Sequence, residues 1–198
     1  MSELVLASAS PRRADLLRQL GVSFVQRPAS IDESVLPGEE PPDFVTRVAR
    51  EKALACERLL EGGSGPVLAA DTCVVLDGQI LGKPADRMEA LAMLARLSGR
   101  EHLVLTAVCL RFQGEQRELM SETRVQFVTL TREQVENYIA SGEPFDKAGG
   151  YGIQGLAGAF VESIQGSYSN VVGLPMAQTW RLLQLCGVTT ALEAPTGD

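Results

Sequence analysis

Pro66-Val67-Leu68-Ala69-Ala70-Asp71-Thr72-Cys73-Val74-Val75-Leu76 is a nearly unbroken apolar run, interrupted only by Asp71 and Thr72. A run of this kind reads as a strand buried on both faces. Asp77-Gly78 follows at once, a strong hairpin signal that returns the chain through Gln79-Ile80-Leu81. Upstream, residues 4–7 form a second short buried strand. Ser10-Pro11 then opens a helix, with Ser as cap and Pro in the first turn. Leu16, Leu17 and Leu20 give that helix its apolar face, and Gly21 ends it. Residues 22–26 read as extended, and residues 27–42 as an acidic, proline-rich loop. Asp43 is the expected cap of the next helix, running to about residue 60 and closed by Gly62-Gly63.

Downstream of the hairpin, Asp86 with Glu89 forms an expected capping box for a helix to residue 97. Long strands follow on either side of Gly114, and Thr131 with Gln134 starts a helix to about residue 140. Residues 142–158 lack the periodicity of a regular element. A strand over 159–164 and a helix over 175–186 complete the core, and the tail beyond Val188 reads as frayed. Helices and strands alternate, with hairpins among them and no internal repeat. A single α/β domain with a mixed twisted sheet flanked by helices is the fold this order predicts.

Of the 198 residues, 45% are hydrophobic, enough to fill a core. The net charge of -7, from 25 acidic and 18 basic side chains, argues against broad nucleic-acid binding, which depends on many basic residues. It leaves room for a small polyanion in one local basic pocket. Cys56, Cys73, Cys109 and Cys186 are scattered with no CxxC pair, as expected of reduced thiols in a reducing compartment. His102 is the only histidine, so neither a Cys/His nucleophile nor a zinc site is indicated. The start has Glu3 where a signal peptide has basic residues, and its apolar stretch covers only residues 4–7. No stretch approaches a membrane span of about 20 apolar residues. A soluble cytoplasmic protein is expected.

Candidate chemistry is dispersed. Ser8-Ala9-Ser10-Pro11-Arg12-Arg13 lies at a strand-to-helix junction, where backbone N–H groups and the helix dipole favour an anion. An ordinary capped helix with surface arginines is the alternative. Lys52 falls within the stripe of Val45, Val48, Cys56 and Leu59, so it either reaches outward along its stem or meets a buried anion. Arg47 and Arg50, off the centre of the stripe, are expected to be solvated. Asp71 inside a buried strand requires a partner: an ion pair with Lys52 or Lys83, a metal, or a role as general base. Lys83 comes on the return from the hairpin, and Glu33 offers a second carboxylate in the acidic loop. Asp146-Lys147-Ala148-Gly149-Gly150-Tyr151-Gly152-Ile153-Gln154-Gly155 combines flexible glycines with Tyr151 and Gln154, the latter able to donate and accept at a base edge. Ser167-Tyr168-Ser169-Asn170 reads as a polar turn. Cations for a polyphosphate and carboxylates for a divalent ion appear together, without a Walker A loop.

These segments resemble the Maf family of nucleotide pyrophosphatases. The matching pieces are Ala7-Ser8-Ala9-Ser10-Pro11-Arg12-Arg13, Asp32-Glu33, Glu51-Lys52-Ala53, Ala70-Asp71-Thr72, Gly82-Lys83-Pro84, the 146–155 loop and Asn170-Val171-Val172-Gly173-Leu174-Pro175. They run in family order across about residues 4–186, without departure at the matched catalytic positions. The resemblance implies hydrolysis between the α- and β-phosphates of a nucleoside triphosphate by water, with Mg2+ or Mn2+ as divalent cofactor. By position, Asp71 is the expected proton acceptor and also a metal ligand. Glu33 is the expected metal-binding or water-orienting carboxylate. The resemblance implies that Ser8, Arg13, Lys52 and Lys83 hold the triphosphate, and Arg12, Thr72 and Gln154 resemble the positions that set base preference. Asp-Thr after the apolar strand, together with Tyr-Gly-Ile-Gln-Gly, is similar to the dTTP/UTP subgroup rather than the one preferring 7-methyl-GTP. The implied fold is a two-lobed, inosine-triphosphatase-like α/β structure with a cleft, often a homodimer. A nucleotide-binding regulator of septum formation is the alternative function.

Overall fold

Leu4–Leu6 (β1) is wholly buried and has parallel partners at both edges: Phe24–Gln26 (β2) on one side and Val67–Leu76 (β3) on the other. The computed structural model describes residues 3–60 and 65–193, so the Gly62-Gly63 helix stop lies outside the described residues. Gln79–Leu81 (β4) pairs antiparallel with β3, Val74 opposite Leu81. Glu101–Phe112 (β5), Glu115–Phe127 (β6) and Val161–Gln165 (β7) complete a seven-stranded sheet in the order β2-β1-β3-β5-β6-β7, with β4 on β3. The helices are Pro11–Gln19 (α1), Pro41–Leu59 (α2), Arg87–Leu97 (α3), Arg132–Ala140 (α4), Tyr168–Val172 (α5) and Met176–Leu185 (α6). The mixed sheet with helices is thus the architecture that the sequence order predicts. No helix among the described residues is long and apolar enough to cross a membrane.

The chain divides into two compact units, one from residues 1–71, 106–120 and 173–198, the other from 72–105 and 121–172. In the first, Leu16 and Leu17 of α1 and Val45, Val48, Ala49, Ala53 and Cys56 of α2 are buried, as are Leu4 and Leu6 of β1. Leu59, assigned to the same stripe, is instead 66% exposed at the last turn of α2. The start of α2 also differs from expectation. Glu40 is the N-cap, without a side-chain cap bond, and Asp43 lies inside the first turn. Pro41 and Pro42 lack N–H groups, so the turn has fewer donors for a cap to satisfy. The tail is not frayed as far as residue 193: Ala191 N–H donates to Leu20 O at 2.8 Å, and Glu193 accepts from Thr190 N–H and the Trp180 indole.

In the second unit, the β3–β4 hairpin turns through Asp77 and Gly78, with φ of 53° and 74°. Both central residues of a type I′ turn need positive φ, which Asp tolerates and Gly adopts freely. Asp86 accepts from Glu89 N–H at 2.8 Å, but Glu89 reaches back to Ala85 N–H and not to its cap. At α4 the box closes fully, Thr131 and Gln134 each accepting the other's N–H. Residues 142–158 hold short 3-10 turns at Glu143–Asp146 and Ala148–Gly150, and a third at Leu156–Phe160 moves the start of β7 to Val161. Gly149 is required there: its φ is 70°, and a Cβ would meet Val74 Cγ2 at 2.9 Å. The 167–170 turn closes into α5, where buried Asn170 donates to Val104 O and Thr123 Oγ1.

Tyr151, expected as part of a flexible loop, belongs to this core. It is 5% exposed, stacks edge-on with Phe127 and shares a 2.7 Å hydrogen bond with His102 Nε2. Burial lowers the His102 pKa to about 4, partly offset by a backbone hydrogen bond at Arg100. The imidazole is therefore neutral in the folded chain at pH values where the unfolded chain already binds a proton. Stability is full above the unfolded value near 6.5 and falls as pH drops toward 4. The loss expected from this one group is roughly 3 kcal/mol. No other histidine exists to contribute to the upper part of this window. Urea unfolding of the wild type between pH 7.5 and 5 should show the slope, and His102→Gln should flatten it. An unchanged slope in that variant sinks the assignment.

Candidate active site

The β1–α1 junction is built around Ser8 and Arg13. Buried Ser8 accepts through Oγ from Ser10 N–H at 3.2 Å and from Arg13 Nη1 at 3.2 Å. Arg13 Nε donates to Gly173 O at 2.8 Å, and Gln26 Nε2 donates to Ser8 O at 3.2 Å. Ser10 caps α1 by accepting from Arg13 N–H. Two of the backbone donors at this junction, Ser10 N–H and Arg13 N–H, are therefore already engaged, and the positive character rests more on the guanidinium. Burial pushes the Arg13 pKa below the usual arginine value; Asp71 and Glu33 oppose the shift and Arg12 reinforces it. A guanidinium stays protonated in proteins even so. The influence of Asp71 and Glu33 places Arg13 in the electrostatic field of the second cluster.

That cluster centres on Lys52. Its ammonium lies 2.8 Å from Asp71 Oδ1 and 3.0 Å from Glu33 Oε1. The position on α2 explains this: neighbours one turn either side, Val48 and Cys56, are fully buried, so Lys52 issues from the core face of the helix. Its side chain is only 12% exposed and that of Asp71 10%, while Glu33 arrives from the loop at 48%. Of the two outcomes open to Lys52, it meets the buried anion. The salt bridge to Asp71 satisfies the cost of placing a carboxylate in a strand. Glu33, Lys52, Asp71 and Arg13 make two carboxylates and two cations within one unit.

Arg50 stays solvated as expected, its side chain 42% exposed, whereas that of Arg47 is only 18% exposed; both find carboxylate partners. Arg50 forms a forked pair with Glu118 at 2.7 and 2.9 Å, and Arg47 one with Glu39 at 2.6 and 2.9 Å. Their partners come from a strand and a loop that helix-face arithmetic does not include. The spacing of Arg47 and Glu51 is the one local signal, and they do pair, at 3.2 Å. Gln26 and the carbonyl of Gly173 are likewise not foreseeable from sequence; a backbone acceptor leaves no side-chain signature.

Thr72, Lys83 and Gln154 belong to the second unit. Thr72 is partly buried; Lys83 and Gln154 are exposed. Within that unit the base of the glycine loop is secured by Gly149 N–H donating to Gly82 O at 3.0 Å, one residue before Lys83. Lys147 donates to Glu143 O and Asp146 Oδ1.

Among the described residues, no three His, Cys, Asp or Glu side chains gather to hold a metal ion by themselves. Glu33 and Asp71 nonetheless suit a hard divalent cation. Mg2+ is typically bound by one or two carboxylates, with water and substrate phosphates as its other ligands. Two carboxylates sharing one ammonium match that mode and not an all-protein cage.

The family model described as Maf-like protein matches residues 3–186. A dTTP/UTP pyrophosphatase of Methylobacillus flagellatus is 52% identical over 95% of this chain and 94% of its own length. One from Alcanivorax borkumensis is 55% identical, over 91% of this chain and 94% of its own. Among solved structures, a nucleoside-triphosphatase (dITP/XTP pyrophosphatase) of Mycobacterium abscessus superposes with a TM-score of 0.40 at 17% identity. That match covers 65% of this chain and 75% of the other.

Proposed function

The chain belongs to the Maf family, and from that premise we propose that it is a nucleoside triphosphate pyrophosphatase, hydrolysing dTTP and UTP to the monophosphate and pyrophosphate. The observation that carries the reading is the meeting of Glu33, Lys52 and Asp71, in the field of Arg13. The substrate pair is carried by the named activity of relatives about half identical over nearly the full chain.

In this reading water attacks the α-phosphorus and Asp71 accepts its proton; a carboxylate held by an ammonium is fixed in direction for that task. Lys52 and Arg13 offset charge on the phosphate oxygens, with the Ser8 hydroxyl as a neutral donor. Arg13 is held in place by Gly173 O and Ser8, so its orientation costs little on binding. Glu33 and Asp71 would hold a divalent cation, Mg2+ or Mn2+, which neutralises phosphate charge when bound. Lys83 is assigned to the triphosphate, and Arg12, Thr72 and Gln154 to the choice of base. A cytoplasmic homodimer with a housekeeping role in removing unwanted pyrimidine triphosphates completes the proposal.

Purified protein incubated with Mg2+ or Mn2+ and a panel of triphosphates should release pyrophosphate from dTTP and UTP ahead of purine nucleotides. Tight binding without turnover would overturn the enzymatic reading and favour a regulator.

A further inference from the structure

The loop that carries Glu33 has little apolar packing of its own. Val35 and Leu36 are 48% and 51% exposed, and of its larger apolar side chains only Ile31, ahead of Glu33, is partly buried. Ordering such a segment costs about 1–2 kcal/mol of backbone entropy per residue, so other contacts must hold it. They converge on Arg47 of α2. Its fork grips Glu39, its Nη2 also donates to Ser34 O at 2.9 Å, and its Nη1 reaches Glu51 at 3.2 Å. Glu39 Oε2 in turn accepts Leu36 N–H at 3.0 Å. On the other side of Glu33, Asp32 Oδ1 accepts from Ser34 N–H and Oγ at 2.9 and 2.6 Å. Glu33 is thus set between a local turn and a carbonyl tied to the helix that also bears Lys52.

We propose that Arg47 is a positioning residue: through Ser34 O and Glu39 it holds the 32–39 loop on α2 and so presents the Glu33 carboxylate beside Lys52 and Asp71. Lysine cannot replace it, because one ammonium lacks the planar fork that serves a carboxylate and a carbonyl together. The proposal rests on the reading of Glu33 as a metal-binding carboxylate and adds the residue that keeps it in place. Loss of an outer-shell partner of a metal ligand typically costs about 10- to 100-fold in affinity or activity.

The test measures Mn2+ binding by electron paramagnetic resonance without nucleotide, for wild type, Arg47→Lys, Arg47→Met and Glu39→Gln. Hydrogen exchange of the 32–39 amides and thermal melts accompany it. We expect roughly tenfold weaker Mn2+ binding and faster exchange confined to the loop in all three variants. In a Glu33→Gln background, Arg47→Lys should add less than about twofold, because its effect passes through Glu33. Turnover of dTTP by the wild type checks the underlying function separately, since Mn2+ affinity is read without it. Wild-type Mn2+ affinity in the Arg47 variants, an undiminished effect in the Glu33→Gln background, or absence of Mn2+ binding by the wild type would each overturn the proposal.

Discussion

Replacing Asp71 by Asn is expected to lower kcat for dTTP hydrolysis by roughly 10²- to 10⁴-fold, the usual range for losing a general base. Asn keeps the shape and can still accept a hydrogen bond, but it cannot take a proton from water. Asp71 lies on β3 at 7% exposure, and Lys52 retains Glu33 at 3.0 Å when the charge is removed. The fold should therefore persist, with circular dichroism unchanged. Pyrophosphate release under saturating dTTP and Mg2+ measures the effect. A variant with wild-type kcat would assign the proton acceptor elsewhere.

Lys52→Met should be costly in two ways. The Asp71 side chain is 10% exposed and pairs with Lys52 at 2.8 Å. Breaking a buried pair by removing one member leaves a charge uncompensated, costing about 3 kcal/mol. For a chain of this size that is a fall in Tm on the order of 8 °C. Methionine preserves the stem among Val48, Cys56 and their neighbours, so packing loss is small. Turnover should also fall, by about 10²-fold, as a phosphate-facing cation is lost. A divalent cation bound by Glu33 and Asp71 would replace the missing positive charge. Mg2+ or Mn2+ should therefore raise the variant's Tm more than the wild type's. Equal metal-induced shifts in both proteins would remove Glu33 and Asp71 as the metal-binding pair.

Where a rule depends on a few adjacent residues, the sequence is a sufficient guide. The Asp77-Gly78 turn, the Ser10 cap and the Thr131–Gln134 box were all legible, because each is settled by the φ values and donors of three or four neighbours. The cap expected at Asp43 falls instead at Glu40, since two consecutive prolines remove the donors on which the capping rule operates. Tyr151 reads as loop in the sequence because its partners, His102 and Phe127, come from distant strands.

The candidate site divides along the same line. Residue types and their order suffice to mark Asp71 as a carboxylate in an apolar strand and Lys52 as a cation on an apolar helix face, each needing a partner. Which partner each found was decided by tertiary structure alone. Glu33, Lys52 and Asp71 lie 19 residues apart in succession, on a loop, a helix and a strand, and only the packing of α2 with the loop and sheet brings both carboxylates within 3.0 Å of the ammonium. Local propensity acts over a turn or two of chain, whereas ion pairing depends on distance in space, which many segments set together.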